Sequence, residues 1–381
     1  MTVSHWQADG TQPTRDVDFL VIGAGLAGSA AAYFATQSGR DVVITEARDI
    51  ALGASGRNAG FIITGLDSYY HLSVEKYGEA VTREMWDISK QTIAYWKEFA
   101  RQCDVPIDPC GSMLLAESEE EAKDLERASR ALDAAGYDHQ FYDYDPLDRG
   151  YFAALEQLSD AATQPVKLVQ GVFGLSGAEL VANNEVYAIR QDKPDGVTVE
   201  SRLYHFQAKH VMICTNAYSL TLHDFFADKI IPTRAQCIVT EPLPQGPILN
   251  TMGYSNYGYM YYRDTFDGRL LVGGARHLHK AAEHNTLEDK ANKDVHNALD
   301  AYLQKYFPDV TVPVSRRWSG TMGFTPDGLP IVGRLPNCPN VGFAVGFNGH
   351  GLALSAATVE RAVEMLLKGT SVGAVDVSRL L

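Results

Sequence analysis

The chain has 381 residues, 45% of them hydrophobic, and a formal net charge of −14. That length and composition support a large core and more than one domain. The acidic balance leaves no electrostatic footprint for nucleic acid or an anionic membrane surface, so neither is expected as a partner.

Residues 1–16 are polar and lack the basic, apolar and cleavage-site order of a secretory signal, which predicts a flexible start to a cytoplasmic protein. Val17 to Ala35 is almost uncharged, but the early Asp18 and the glycines argue for a buried βα unit rather than a membrane span. Phe19 to Ile22 has the length of a buried strand. Gly23-Ala24-Gly25-Leu26-Ala27-Gly28 then gives G-x-G-x-x-G, an Ala-rich helix follows to about Ser38, and a second strand, Asp41 to Thr45, ends on Glu46. Gly23 permits a tight turn, Gly25 lets a pyrophosphate approach the backbone, and Gly28 lets helix and strand pack closely. The helix N-terminus offers N–H groups and a positive dipole end to an anion. Glu46 stands where a carboxylate accepts hydrogen bonds from a ribose diol, which favours FAD or NAD over NADP. Gly23, Gly25, Leu26, Ala27, Gly28, Glu46 and Ala47 are the candidate nucleotide contacts.

The loop Ala51 to Gly60, ALGASGRNAG, reads either as a surface turn or as a second anion cradle. Ser68 to Cys103 carries Val81, Met85, Ile88, Ile93, Trp96 and Phe99 at helical spacing, which predicts core-packing positions. A charged helix is expected from Ser118 to about Ala135, opened by the capping box Ser118-x-x-Glu121, its acids forming a solvated face. Val166 to Leu175 suits a short helix. Glu179 to Ile189, Val197 to Leu203 and Ala208 to Cys214 read as strands. Prolines mark a composition shift after Ile231. The run Tyr254, Tyr257, Tyr259, Tyr261, Tyr262 and Arg263 follows, and strand alternation puts Tyr259 and Tyr261 on one face, Met260 and Tyr262 on the other. Arg269 to Leu278 is the expected partner strand and turn. The five cysteines are odd in number and widely spaced with no C-x-x-C, which argues against a disulfide framework or a zinc site.

Near the end of the chain, a turn-rich stretch from Arg317 to Gly333 precedes a strand, Val341 to Val345, the turn Gly346-Phe347-Asn348-Gly349-His350-Gly351, and a helix from Leu352 to about Leu367. This is a second glycine-rich strand-to-helix joint. Its helix N-terminus can face the electron-rich edge of a flavin and stabilise negative charge there. A simple NAD domain has no need of it, and the reading therefore favours FAD.

The nucleotide unit followed by G-A-S-G-R-N-x-G, together with W-x-G, T-P-D-G-x-P-I-x-G and G-x-x-G-H-G in the last 70 residues, resembles the FAD-dependent amine and amino-acid oxidoreductases of the D-amino acid oxidase type. Glycine oxidases, sarcosine oxidases and γ-glutamylputrescine oxidoreductases belong to that group. The resemblance implies an α/β fold: a Rossmann-type FAD-binding domain (1–67, 154–228 and 313–381) with an inserted α+β substrate domain on an antiparallel sheet (68–153 and 229–312). It implies cofactor contacts from Ser55, Arg57, Asn58 and Gly60, from Val186, Thr215 and Asn216, from Gly320 and Met322, and from Asn348, Gly349, His350, Gly351 and Leu352. It also implies a tyrosine-lined substrate cavity. The catalytic candidates are Tyr259 and Tyr261, with Arg263 or Arg276 as the group that meets a substrate carboxylate.

Three departures from the family pattern matter. Gly320 stands where members with covalent flavin keep a cysteine, so FAD is expected to be non-covalent. Met322 stands where glycine oxidases keep a carboxylate-binding arginine. The Leu270–Arg276 strand has no lysine of the kind that sarcosine oxidases use toward oxygen. The expected activity is oxidation of a C–N bond in a small amine or amino acid by hydride transfer to flavin N5, with hydrolysis of the imine and oxygen as acceptor. The alternatives are a dehydrogenase passing electrons to a quinone or a protein, an NAD enzyme, and a non-catalytic flavoprotein subunit. Oligomeric state is left open.

Overall fold

The computed structural model describes residues 12–194 and 196–381, so the first eleven residues of the expected flexible start lie outside the described residues. The apolar run at Phe19 is the end of a longer strand, Thr14–Ile22. Its side chains alternate between two cores, Phe19 and Val21 entering one and Leu20 and Ile22 the other. A strand buried on both faces has no polar side to show, which is why it reads as a continuous apolar run.

Thr14–Ile22 pairs in parallel with Val42–Thr45 on one edge and with His205–Ile213 on the other. His205–Ile213 pairs in parallel with Cys338–Val345 as well, in the register Val211 to Val341 and Ile213 to Phe343. The strands that lead into the two glycine-rich joints therefore flank one common strand. The helices that follow them, Leu26–Gln37 and Gly351–Lys368, share one core in which Ala30, Ala31 and Ala35 occur with Ala356 and Ala357. Small side chains let backbones come close. The periodic stretch after Ser68 forms two helices, Tyr70–Tyr77 and Glu79–Gln102, parted by Gly78 at φ 80°. The second buries Met85, Ile88, Ile93, Trp96 and Phe99, and Trp96 Nε1 donates 2.8 Å to the carbonyl of Leu352.

The second large sheet runs, edge to edge, Val314–Phe324, Ile231–Thr240, Leu270–Gly274, Met260–Asp264, Met252–Ser255, Ser112–Leu115, Ala154–Gln157 and Gln140–Tyr142. Its pairs are antiparallel except for Met252–Ser255 beside Ser112–Leu115. Strand pairing thus places Ala154–Gln157 and Val314–Phe324 in this sheet, across the 153/154 and 312/313 divisions that the sequence led us to expect. One face packs Met260, Tyr262 and Val272 against Val295, Leu299 and Tyr302 of the helix Lys293–Tyr306. A small sheet of Phe61–Ile62, Ala161–Thr163 and Ile107–Asp108 lies apart from both.

The capping box at Glu119–Ala135 forms as expected, with Ser118 Oγ accepting 3.2 Å from the Glu121 N–H. One expectation fails there. Glu121 is not part of the solvated face but only 2% exposed, accepting from Tyr69 Oη at 2.8 Å and from the Tyr257 N–H at 2.6 Å. Its position in the first turn is local information, while the partners that bury it come from two distant segments.

Gly28 tests the joint. A Cβ there would lie 1.7 Å from the carbonyl oxygen of Gly23, a backbone atom with nowhere to go. Gly174, inside the helix Pro165–Ser176, meets nothing within 4 Å. Gly28→Ala is expected to lower stability by at least the ~1–3 kcal/mol of ordinary overpacking. Gly174→Ala is expected to raise it by roughly 0.5–1 kcal/mol through backbone entropy. Denaturant melts of the two variants beside the parent check the opposite signs.

Candidate functional site

A cavity of about 830 Å³ runs from the first glycine joint to the tyrosine face of the second sheet. This lies toward the upper end of ligand pockets, roughly 300–1,000 Å³. At one end Gly23 turns with φ 104°, and a Cβ on it would come 3.0 Å from the Cys214 carbonyl. Gly25 approaches Ser55 so closely that a Cβ would sit 2.7 Å from Ser55 Oγ, which accepts 2.9 Å from the Leu26 N–H. Gly25, the N-cap of the helix that starts at Leu26, has no side chain to cap it, and Ser55 supplies the acceptor from the next loop. Glu46 accepts from the N–H groups of Ala24 at 3.0 Å and Arg48 at 2.9 Å, which fixes its carboxylate on the wall. Ala27, Ala47, Val186 and Thr215 line the same end. Asn216, just past the common strand, is bonded to the second glycine joint. At φ 46°, its Oδ1 accepts 2.9 Å from the Gly346 N–H.

The loop after the nucleotide unit is more self-contained than the sequence implies. Asn58 donates Nδ2 to the carbonyls of Ala54 and Ser55 and accepts from the Gly60 N–H. Arg57 lines the cavity, but its Nη1 donates 3.0 Å to Asp289 and 3.0 Å to the Ser319 carbonyl, and its Nε donates to Leu52. The guanidinium therefore ties the loop to the second sheet. Gly28 and Gly60 do not line the cavity; a Cβ on Gly60 would lie 2.2 Å from the Thr163 carbonyl, which makes it a packing glycine.

At the other joint, Asn348 (φ 51°) accepts 2.8 Å from the Thr325 N–H, and its Nδ2 donates 2.7 Å to the Gly346 carbonyl. Its amide thus welds the T-P-D turn to the glycine turn. Gly320, Met322, Gly349, His350, Gly351 and Leu352 line the cavity here. His350 is the N-cap of Gly351–Lys368 and makes no side-chain cap, so the first N–H groups of that helix face the cavity without intrahelical partners. Burial pushes the His350 imidazole below its usual range, Asp67 opposing and Arg276 assisting, so the ring is neutral at pH 7.

The tyrosine wall follows the predicted alternation. Met260 and Tyr262 enter the core, while Tyr259 and Tyr261 face the cavity. Tyr261 stands opposite Tyr254 on the neighbouring strand, ring centroids 5.7 Å apart, and Phe61 meets both edge-on. Burial raises the pKa of Tyr254 and Tyr261 far above the ordinary phenol value. Arg276 follows Ala275, which turns the chain at φ 59°. Its guanidinium lies 4.8 Å from the Tyr259 ring centroid and 5.5 Å from that of Phe324, with no carboxylate within salt-bridge reach among the described residues.

Arg263 is a correction. It is 4% exposed, does not line the cavity, and donates Nη1 to the carbonyls of Ala59, Gly60 and Thr163. The strand carries it past the cavity to where loop and small sheet present carbonyls that need a donor, so it cannot meet a substrate carboxylate. Sequence reasoning also missed two wall residues. Tyr254 was accessible through cross-strand pairing with Tyr261. Asp160 carries no local signal, because Ser-Asp before a strand reads as a turn. Asp160 is 1% exposed on the cavity wall, and accepts from Thr64 N–H (2.9 Å), Thr64 Oγ1 (2.7 Å) and Ser112 Oγ (2.6 Å). Burial pushes its carboxyl up to about 6, against the lowering by Ser112, Thr64 and Lys97.

The family model described as DAO, FAD dependent oxidoreductase, matches residues 18–365. A probable oxidoreductase of Haemophilus influenzae, OrdL, is 26% identical over 92% of this chain and 83% of its own length. The γ-glutamylputrescine oxidoreductase of Escherichia coli is 26% identical over 92% of this chain and 84% of its own. The crystal structure of L-proline dehydrogenase from P. horikoshii superposes with a TM-score of 0.80, at 22% identity, over 96% of this chain and 98% of that one. Among the described residues no helix is long and apolar enough to cross a membrane, and no cluster of three or more His, Cys, Asp or Glu could hold a metal ion.

Asp160 gives a pH test. Its carboxyl stands near 3.8 when unfolded and about 6 when folded, so its favourable contribution is present below pH 4 and is lost as pH rises through 6. Asp160→Asn does not titrate. Relative to the parent it is expected to gain on the order of 3 kcal/mol between pH 4 and pH 7. Paired urea melts at the two pH values measure this, and a gap independent of pH would refute it.

Proposed function

We propose a function from one premise: the chain belongs to the DAO family of FAD-dependent oxidoreductases. It is an FAD-dependent enzyme acting on amines or amino acids, and in our reading it oxidises a C–N bond. The observation that carries this reading is the continuity of one cavity from the Gly23–Ala27 turn, past the Gly320–Met322 strand and the uncapped helix at Gly351, to Tyr254, Tyr261 and Arg276.

The residues suit FAD by their own geometry. Gly25 and Gly320 leave space that a Cβ would close against Ser55 and Arg57. Under this reading Gly23 to Ala27 hold the diphosphate, Glu46 the ribose, and Val186, Thr215 and Asn216 border the nucleotide. The N–H groups at Gly351 and Leu352 border the ring edge that becomes negative on reduction. Residues 1–67, 154–228 and 313–381 make the cofactor unit and 68–153 and 229–312 the substrate unit, with the strands Ala154–Gln157 and Val314–Phe324 crossing from the first into the sheet of the second. FAD supplies a hydride acceptor at flavin N5. With Gly320 at the position of the covalent-linkage cysteine, the cofactor is held non-covalently.

The protein's own contribution is orientation and exclusion of water. Phe61, Tyr254 and Tyr261 form a wall whose hydroxyls stay protonated, and neutral His350 carries no charge toward the substrate. An amine binds here as the free base, because a C–H next to an ammonium is a poor hydride donor, and loss of hydride leaves an iminium that water hydrolyses. Positioning supplies most of what such a step needs. Arg276 takes the place of the arginine that Met322 replaces and meets an anionic group of the substrate through charge-assisted hydrogen bonds. Oxygen is the acceptor in the first reading. The lysine-free Leu270–Arg276 segment favours a second, in which a quinone or a protein takes the electrons.

Purified protein is expected to be yellow, to release FAD on acid denaturation, and to bleach under anaerobic conditions with an amine from a panel of glycine, sarcosine, D- and L-amino acids, proline and polyamine derivatives. Flavin-free protein, or a flavin that no panel member reduces, removes the proposal. Peroxide released in air, one equivalent per turnover, selects oxygen; bleaching without peroxide selects the other acceptor. Arg276→Gln is expected to raise KM for carboxylate-bearing substrates tenfold or more, about the 1.5–3 kcal/mol of a hydrogen bond to a charged group, and to leave KM for uncharged amines within about twofold.

A further inference from the structure

The rows of the second sheet carry the cavity wall well beyond the tyrosines. In register, Tyr261 stands beside Tyr254, Tyr254 beside Leu114, and Leu114 beside Leu155. All four line the cavity. With strands about 4.8 Å apart, three spacings put Leu155 about 14 Å along the wall from Tyr261. Leu114 is only partly buried although its strand is interior to the sheet, whereas Met113 and Leu115, on the opposite face, are buried; open space therefore lies over it. A small amino acid held beside Tyr261 spans only a fraction of that length.

The far stretch of this wall has a definite chemistry. Strand alternation puts Ser112 on the face of Leu114 and Gln157 on the face of Leu155, and Ser112 stands opposite Gln157. Ala128 and Leu132, one turn apart on the helix Glu119–Ala135, line the cavity as well. The two polar side chains differ in what is left to them. Ser112 Oγ is spent on Asp160, which also accepts from the N–H and the hydroxyl of Thr64. Gln157 is 6% exposed and lines the cavity, yet its amide makes no hydrogen bond among the described residues. A buried amide without a partner is costly unless something in the cavity supplies one. Apolar walls with a few placed polar groups are how pockets orient a ligand.

We propose that Leu114, Leu132, Leu155 and Gln157 form a distal recognition site for an extended substrate: an amine on an unbranched apolar chain whose far end carries an uncharged hydrogen-bonding group such as a hydroxyl. This deepens the proposed C–N oxidation and rests on it for the identity of the ligand as substrate. The chain lies along the leucines, and taking its methylenes out of water supplies affinity. The Gln157 amide both donates and accepts, which suits a hydroxyl. A charged end group is disfavoured. An anion would meet Asp160, and an ammonium would have to shed its water among leucine and alanine side chains, beside a carboxylate that already accepts three hydrogen bonds.

Binding to the FAD-loaded enzyme is measured by calorimetry and by perturbation of the flavin spectrum, so the test needs no turnover. The probes are n-alkylamines from propylamine to decylamine, with the ω-amino alcohol and the α,ω-diamine of each length. Parent affinity should rise about threefold per methylene through at least hexylamine. At one length or more the amino alcohol should bind at least about threefold tighter than the alkylamine with as many heavy atoms, the worth of one hydrogen bond, and tighter than the diamine. Gln157→Leu should act with opposite signs at that length, weakening the amino alcohol threefold or more and tightening the alkylamine, a split that a merely structural residue does not give. Leu114→Phe should lower the ratio of hexylamine to propylamine affinity tenfold or more. The proposal is overturned if parent affinity levels off at butylamine, or if the alkylamine or the diamine binds best at every length; both results stand even if the variants fail to fold. It is overturned too if Gln157→Leu moves amino alcohols and alkylamines together. If the probes behave as expected while no amine reduces the flavin, the distal site stands and the proposed oxidation falls.

Discussion

The site exists because two chain segments more than three hundred residues apart are forced onto one strand. His205–Ile213 pairs along one edge with Thr14–Ile22 and along the other with Cys338–Val345. Parallel pairing makes both outer strands end at the same edge of the sheet, and ligands of open α/β sheets gather at the carboxyl ends of their strands. Each outer strand there passes into a glycine turn and then a helix. Asn216, just beyond the common strand, closes the arrangement by accepting from the Gly346 N–H. With apolar side chains on both faces, it is the fit of their sizes rather than polar–apolar alternation that holds the register, and with it the spacing of the two helix N-termini.

The second sheet solves a different problem. One of its faces must be fully apolar to pack the helix Lys293–Tyr306, and the other must be apolar enough to exclude water yet able to bind. Tyrosines at alternate positions meet both demands. Glycine makes room for them: a Cβ on Gly273 would lie 2.1 Å from the Tyr261 ring, and one on Gly253 would lie 2.3 Å from the ring of Tyr262. The loop carrying Arg57 is fastened to this sheet by Arg57 itself, through Asp289 and Ser319, and Arg263 fastens the same loop from beneath. Both arginines thus hold the loop against its surroundings, and Arg276 lines the cavity without such a tie.

What the sequence made legible was what has a short period or a local steric cause. The glycine turns, the apolar strands beside them, the tyrosine alternation and the capping box at Ser118 all depend on neighbours within a few residues. Arg263, Glu121 and Asp160 depend on partners 40 to more than 200 residues away. By sequence alone each is an ordinary charged residue, and only the fold decides whether it reaches solvent, carbonyls or the cavity. The departures from the family pattern at Gly320 and Met322 were visible at once. Which arginine faces the cavity was not, since Arg263 directly follows the tyrosines in sequence while Arg276 lies fourteen residues beyond Tyr262, and of the two only Arg276 lines the cavity.

The same packing governs how the cavity discriminates. Burial raises the hydroxyls of Tyr254 and Tyr261 and the thiol of Cys237, and lowers the imidazole of His350, so these wall groups are uncharged at neutral pH. In such surroundings the local dielectric is low and a single charge is felt strongly. Arg276 and Asp160 line the cavity beside Tyr254, and Asp67 lines it beside His350. Because the wall groups beside them cannot adjust their own charge, the charged side chains that line the cavity set the charge pattern a ligand meets.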